Sequence, residues 1–414
     1  MRTRVAMACL VAGLLGGGSS SVAARPVFAA ALSYCRALAH AANAATPNGP
    51  VFIRSYEHGP GETDLPAPLK ASAFAYDNAL ASIALTACGD VGEGARIADA
   101  FVVAARHDRT FRDGRIRNAY HAGAVTQDAV RLPGWWNMQA ERWDEDAYQD
   151  STATGNIAWV ALAMLNTHAA TGRRDYLDVA RGLLAWIRSH AADAPGPEGY
   201  SGGMTGFDGN QHALTWKSTE HNIDVAAAAR WASELSHDPD EAAMSAQAAS
   251  FVATRFVPGE GYFLLGTNPE GRDAARGDLA LDVQVWPILG VKDAPVAWRR
   301  ALTFADRRLR HGDGMTFAGF GPNRWNEGTA QAALAFRSIG SDVIADKLLE
   351  GLAAHVSPSG LLYATSVGEV PTGLKVESEN GGDFVYFHRP HLGATAWAAL
   401  AALRYNPFTG RTVN

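Results

Sequence analysis

Two kinds of helical segment alternate along this chain, and the alternation restricts its fold more than any other feature. Hydrophobic periodicity predicts twelve helices, at residues 26–44, 73–88, 93–107, 154–171, 174–190, 218–236, 240–255, 279–291, 295–310, 325–339, 342–355 and 389–405. The odd-numbered helices are amphipathic, whereas the even-numbered ones are apolar on nearly all sides after a polar first turn. Because an apolar helix must be surrounded and an amphipathic one can face solvent, the pattern predicts six inner helices wrapped by six outer ones.

The first 24 residues have the features of a cleaved export signal. Arg2 and Arg4 precede an apolar run at residues 5–15, and small residues lead up to Ala24. The run is shorter than the roughly 20 residues that cross a bilayer, so an uncleaved anchor is the weaker reading. We therefore expect a signal peptide at 1–24, a single catalytic domain at 25–414, export to the periplasm or the medium, and no membrane insertion after cleavage.

Charge and cysteine content limit the possible partners. The chain has a net charge of -6, and loss of the two arginines of the signal would make it -8 because residues 1–24 contain no acid. A net negative charge disfavours nucleic acid as a partner. Cys35 and Cys88 remain after cleavage and can be either a disulfide or two buried thiols. No cluster of Cys and His has zinc spacing, so we predict neither a metal nor a cofactor.

The first turns of the inner helices are unusually polar for helices that are otherwise apolar. If all six inner helices point the same way, these turns open on one end of the ring, and the chain becomes a quasi-repeat of helix hairpins. The polar residues that would meet there are Asp77, Asn156, Glu220, Asp282, Glu327 and His391. The loops before inner helices are long and aromatic, and the longest, 108–153, contains Trp135 and Trp136. Both features predict a functional site at this end.

Short motifs at these helix starts resemble those of the (α/α)6-barrel glycoside hydrolases and related carbohydrate-active enzymes. The motifs are Tyr-Asp-Asn at 76–78, Ser-Thr-Glu-His-Asn-Ile-Asp at 218–224, Leu-Asp-Val-Gln-Val-Trp at 281–286 and Arg-Trp-Asn-Glu-Gly-Thr at 324–329. The resemblance implies an all-α, single-domain (α/α)6 barrel with a glycan cleft across the inner-helix N-termini. It also implies carboxyl groups as acid and base, with inversion at the anomeric carbon as the default.

Glycoside hydrolysis requires one protonated carboxyl and one carboxylate, about 6.5 to 9.5 Å apart for inversion. We predict Glu220 as the general acid, because its long side chain beside Trp216 can be kept partly dry and its pKa raised. Asp77 is the first choice for the base, followed by Glu327 and then Asp282. Glu220 would lie on an inner helix that alternates in the ring with those of Asp77 and Glu327. Because neighbouring helix axes are ~8 to 10 Å apart, each of these two pairs of carboxyls would be separated by a gap of the inverting order.

Loop and helix-start aromatics are candidates for stacking on sugar rings, and nearby polar groups for binding hydroxyls. Substrate contacts are expected from Tyr76, Asn78, Trp135, Trp136, Asn156, Trp216, His221, Asn222, Trp286, Trp325, His388, Arg389 and His391. Trp159 and Trp397 lie inside helices and are expected in the core. The prediction is a secreted, monomeric glycosidase that acts without a cofactor on a neutral or weakly charged poly- or oligosaccharide.

Several alternatives remain open at this point. Glu220 and Glu327 can be explained by the helix dipole alone, Asp282 by a structural pairing, and Arg389 by neutralising a carboxylate. A polysaccharide lyase would use a set such as Tyr76, His221, Asn222 and Arg389, although four acids would repel a polyuronate. A non-catalytic glycan-binding protein would need the aromatics without the acids. A sugar epimerase would use paired histidines, and we expect export to argue against that metabolic role.

Overall fold

The computed structural model describes residues 24–59, 63–126, 130–319, 321–375 and 383–413. All twelve predicted helices form within these ranges, and a short helix in the long loop adds a thirteenth. The helices are α1 Ala24–Ala45, α2 Ala75–Ala87, α3 Val91–Arg106, α4 Ala147–Asp150, α5 Thr154–Thr171, α6 Arg174–Ala191, α7 Thr219–Ser236, α8 Pro239–Arg255, α9 Asp282–Gly290, α10 Arg299–Arg308, α11 Asn326–Ser338, α12 Asp342–Leu352 and α13 Leu392–Ala402. Apart from Ala24, the predicted signal peptide lies outside the described residues.

Six of these helices form a closed ring. Helices α2, α5, α7, α9, α11 and α13 pack against one another in this order, and α13 closes the ring on α2. Helices α1, α3, α6, α8, α10 and α12 pack around them. The inner helices are buried on nearly all sides, as in α13, where ten residues from Leu392 to Ala401 are buried. The predicted all-α (α/α)6 barrel is therefore confirmed. No helix in the described ranges is both long and apolar enough to cross a membrane.

Short strands lie in the loops at the two ends of the ring, most of them at the rim from which the inner helices start. They are β1 Val51–Phe52, β2 Ser72–Phe74, β3 Ala119–His121, β4 Gly123–Ala124, β5 Trp135–Asn137, β6 Arg142–Asp144, β7 Thr152–Ala153, β8 Gly203–Thr205, β9 His212–Leu214, β10 Lys217–Ser218, β11 Phe256–Val257, β12 Tyr262–Phe263, β13 Gly266–Thr267, β14 Arg310–His311, β15 Gly314–Met315, β16 Val370–Lys375, β17 Asp383–Tyr386, β18 Tyr405–Asn406 and β19 Arg411–Thr412. The sheets are antiparallel pairs, except for the three-stranded sheet β7-β8-β9. Each is too short to form a layer of its own. All except β18 and β19, which follow the C-terminal end of α13, order the loops at the rim where the inner helices start.

Buried amides tie the rim to the inner helices. At three places a side-chain amide in a first turn accepts from the backbone N–H of one rim residue at 2.8 Å and donates to the carbonyl of the same residue at 2.9 Å. Each amide replaces a neighbouring strand and satisfies both backbone groups. The pairs are Asn78 with Ile53, Asn222 with Tyr200 and Gln284 with Phe263.

This arrangement corrects two placements expected from the sequence. We predicted that Asn78 and Asn222 contact substrate, but neither lines the cavity described below. Both are fully buried, and their amides are occupied by the backbone. The chemically similar Gln284, which the sequence analysis did not single out, belongs to the same group.

A disulfide joins the first outer helix to the first inner one. Cys35 in α1 and Cys88 directly after α2 are bonded, with a sequence separation of 53 residues and Cα atoms 5.9 Å apart. This decides the alternative that the sequence left open.

Replacing both cysteines by serine is expected to lower the free energy of unfolding by about 4 kcal/mol, because the unfolded chain regains the entropy of a long open loop. Denaturant unfolding of the double variant and of the reduced wild-type protein checks this, and the two should agree. Equal unfolding midpoints with and without the bond would contradict it.

Candidate active site

A cavity of about 250 Å³ opens at the N-terminal ends of the inner helices. All four predicted catalytic acids line it, namely Asp77, Glu220, Asp282 and Glu327. Seven of the predicted substrate-binding residues also line it: Tyr76, Asn156, Trp216, His221, Trp286, Trp325 and His391. Its floor is aromatic, because Trp159 and Trp286 pack at 5.3 Å between ring centres and close the axis of the ring.

Four predicted residues lie elsewhere on the rim. Trp135 and Trp136 are in the hairpin β5–β6, where Trp136 is 55% exposed. His388 stacks on Tyr363 at 4.3 Å. Arg389 donates to Thr63 and to the carbonyl of His388. None of the four residues belongs to the cavity lining, so the structure does not place them at the predicted sugar contacts.

One side of the cavity is built around Glu327. The indole Nε1–H of Trp397 donates to the Tyr76 hydroxyl at 2.8 Å, and that hydroxyl donates to Glu327 Oε1 at 2.7 Å. Burial and the charge of Glu327 raise the pKa of Tyr76 well above its usual value, so it remains a donor. Burial is also the main cause that raises the pKa of Glu327 to about 7, while the charge of His391 opposes the rise.

Asp77 and His391 form a buried pair on the same side. His391 Nε2 lies 3.3 Å from Asp77 Oδ2, and Nδ1 accepts from the backbone N–H of Ala394 as the cap of α13. The cap assigns the proton of the neutral ring to Nε2, directed at Asp77. Burial by itself lowers the pKa of His391, but the charges of Asp77 and Glu327 outweigh it and the net pKa is raised. Asp77 thus has a cationic or donating partner in either state of the ring.

Asp77, Glu327 and His391 lie close together. One atom of each lies within 4.8 Å of the other two, although α2 and α11 are alternate helices of the ring. The side chains converge towards the axis, so the gap between helix axes overestimates the gap between the Asp77 and Glu327 carboxyls. Among the described residues this trio could hold a metal ion. The same atoms already pair with each other, and the prediction of a metal-free site stays a prediction.

Glu220 and Asp282 line the opposite side of the cavity, and the fully buried Asp224 lies outside its lining. We call these three residues the acid group. Burial, and then the charges of Asp282 and Glu327, raise the pKa of Glu220 well above its usual value. Burial raises the pKa of Asp282 to about 7 and that of Asp224 well above normal, with the Trp159 indole opposing the latter. Burial and the proximity of the three carboxyls therefore favour the protonated form of each. Glu220 is half-buried and faces the cavity.

The architecture recurs in known structures. No family model and no curated protein sequence matches the chain. Among solved structures, a cellobiose 2-epimerase from Spirochaeta thermophila DSM 6192 is similar with a TM-score of 0.62 and 13% identity, over 93% of this chain and 98% of that one. A D-mannose isomerase gives 0.59 and 11%, over 93% and 99%, and a wild-type glycosidase 0.58 and 13%, over 93% and 98%. The chain has the (α/α)6-barrel fold. Identities this low leave the chemistry to the side chains.

Three glycines allow side chains of the site to pack directly against the backbone. A Cβ on Gly393 would lie 2.4 Å from Asp77 Oδ1, and a Cβ on Gly155 would lie 2.4 Å from His221 Cδ2. A Cβ on Gly202 would lie 2.7 Å from the indole of Trp216. The site side chains therefore pack directly on backbone.

Replacing Gly393 by alanine is expected to displace the Asp77 carboxylate from His391 and to lower the free energy of unfolding by about 1 to 3 kcal/mol. Thermal unfolding and the NMR shifts of His391 measure the two effects. The matched control is Gly182→Ala in outer helix α6, where a Cβ would have no neighbour within 4 Å and alanine should stabilise the helix slightly. Equal behaviour of the two variants would contradict the packing argument.

Other lining residues were not predicted individually. Tyr56, Asn118, Tyr148, Phe317 and Tyr386 line the cavity. Most lie in the aromatic loops before inner helices, so loop composition was the available signal. Asn118 had none, because its role depends on tertiary contacts. Its amide accepts from the Ala153 N–H and the Asn156 amide, each at 2.8 Å.

Proposed function

We propose that this protein is a glycoside hydrolase that cleaves a poly- or oligosaccharide with paired carboxyl groups. The observation that carries the proposal is that one cavity has carboxyls in two unlike environments. Burial and the neighbouring carboxyls favour the protonated form of the acid group, whereas Asp77 lies 3.3 Å from His391 Nε2, which is directed at it. General acid and base catalysis needs one group of each kind.

In this mechanism Glu220 donates its proton to the glycosidic oxygen as the bond from that oxygen to the anomeric carbon breaks. A water molecule forms the new bond to the anomeric carbon, and Asp77 accepts the proton that the water loses. His391 stabilises the Asp77 carboxylate, and Tyr76 positions Glu327 beside it. The proton then returns from Asp77 to Glu220 through solvent, so the cycle is balanced. Attack by water on the face opposite the leaving group gives inversion.

The experiment is an assay of the wild-type protein on glucans, mannans and exopolysaccharides, with reducing ends as the readout. Release of saturated reducing ends supports hydrolysis. Unsaturated ends would mean elimination and would overturn the proposal. The lyase set considered above is not assembled here, because Asn222 and Arg389 lie outside the cavity lining.

A sugar epimerase is the second candidate, because His221 and His391 both line the cavity. However, burial lowers the pKa of His221 to about 4, which makes it a weak base for removing a proton from carbon. Incorporation of solvent deuterium into a reducing disaccharide, without a change in chain length, would favour epimerisation over hydrolysis.

Export is part of the same proposal. Its supports are the predicted signal at 1–24 and the Cys35–Cys88 bond, which is typical of oxidising compartments. N-terminal sequencing of the mature protein from a periplasmic or culture fraction tests it.

A further inference from the structure

A second cavity, which we call the outer groove, adjoins the catalytic one on the same rim. Its volume is about 540 Å³. Three residues, Thr205, Leu214 and Trp216, line both cavities. Because the two spaces share a wall, a chain-like ligand held in the first can continue into the second.

The outer groove is built on a braced hairpin. Strands β8 and β9 enclose the turn 206–211, and Gln211 donates to the carbonyls of Asp150 and Gly206, each at 3.0 Å. Asp208 in the same turn accepts from Arg109 at 2.7 Å and from Thr110 at 2.6 Å. Arg117, which is fully buried, pairs with the other Asp208 oxygen at 2.7 Å. The turn is therefore anchored to the body of the protein.

Trp216 is the common wall, and its position is set by packing. Its ring lies over the backbone of Gly202, where a Cβ would come within 2.7 Å. On the catalytic side its ring centre is 5.5 Å from that of His221. The indole is half-buried, so part of its surface is available to a ligand that passes between the cavities.

The chemistry of the outer groove differs from that of the catalytic cavity. Among the described residues, no carboxyl, lysine or arginine lines the outer groove. Its lining consists of Ala147, Thr205, Gly206, Phe207, Asn210, His212, Ala213, Leu214, Thr215, Trp216 and Pro269. Such a surface lacks the paired carboxyl groups that glycoside hydrolysis uses. It offers two aromatic side chains together with amide, hydroxyl and imidazole groups, which suit the apolar faces and hydroxyls of an uncharged sugar.

We infer that the outer groove binds a further sugar unit, beyond the two that the cleaved bond joins, so that the substrate is an uncharged oligosaccharide or polysaccharide that crosses Trp216. The inference rests on the proposed hydrolase function and makes it more specific. It requires that the efficiency of cleavage depend on chain length, and that residues of the β8–β9 hairpin determine this dependence.

The test uses the full-length mature protein and a length series of the glycan that it hydrolyses. For the wild type, kcat/KM should rise at least tenfold from the shortest cleaved member to the next longer ones. In Asn210→Ala/His212→Ala that ratio should fall about tenfold, since both residues are exposed on the hairpin and line the groove. His311→Ala is the matched control, because His311 is an exposed strand residue that lines neither cavity.

A direct measurement separates binding from turnover. Calorimetric titration of Glu220→Gln with the same length series should show tighter binding of the longer members, and the hairpin substitutions should remove that gain. If the wild type hydrolyses a glycan but the hairpin variant keeps the wild-type length dependence, the outer-groove inference is overturned alone. If the wild type hydrolyses no glycan, the proposed function is overturned and this inference with it.

Discussion

Glu220→Gln is expected to lower kcat about 10⁴-fold on the glycan that the wild type hydrolyses. Glutamine preserves the shape of the side chain but has no proton to give to the leaving oxygen, and general acid catalysis is worth up to roughly this factor. The steady-state rate at saturating substrate measures it. The matched control is Glu234→Gln, which makes the same change at an exposed position of the same helix and should leave kcat unchanged.

Two further readouts separate proton donation from a structural effect. Aryl glycosides whose phenol leaves as an anion need little acid assistance, so the variant should lose far less activity on them. Because the acid works in its protonated form, wild-type activity should be present below the raised pKa of Glu220 and be lost as pH rises through it. The residual activity of the variant should lack this alkaline limb. An equal loss on all leaving groups would assign Glu220 to binding instead.

Asp77→Asn is expected to lower kcat by about 10³- to 10⁴-fold, because the amide cannot accept a proton from the attacking water. It should also lower the pKa of His391, since Asp77 is the largest of the influences that raise it against burial. NMR titration of the His391 ring measures this second effect independently of turnover. Asp178→Asn on the exposed face of outer helix α6 is the control for the change of residue type.

The combination of outcomes distinguishes between roles. Loss of activity together with a lowered pKa of His391 supports Asp77 as a base held by that histidine. A lowered pKa of His391 together with wild-type kcat would mean that the Asp77–His391 pair only stabilises the start of α13. Glu327 would then become the candidate base. Its carboxyl lies on the same wall, within 4.8 Å of Asp77 and His391 atoms.

The predicted gap concerned Glu220 with Asp77 or Glu327, but the close approach of Asp77 and Glu327 shows why helix axes are a poor guide to such gaps. Helix axes were used to estimate the gap between carboxyls, yet Asp77 and Glu327 extend inward from opposite sides of α13 and converge on His391. The ring order was predictable, whereas the direction of each side chain within its first turn was not.

Periodicity along the chain was sufficient to predict twelve helices in two classes, the closed ring, and the end at which its acids and Trp216 collect. These features depend on the burial of apolar helix faces, and the local spacing of apolar residues in the sequence indicates which faces are buried. Only the tertiary structure decided that Asp77 faces the cavity while its neighbour Asn78 binds the Ile53 backbone. It also decided the Asp77–His391 pair, the cysteine bond and the outer groove. Adjacent residues on a helix point about 100° apart. The rotation of each helix about its own axis therefore determines which polar side chain enters the site. That rotation is set by packing between segments that are distant in the sequence.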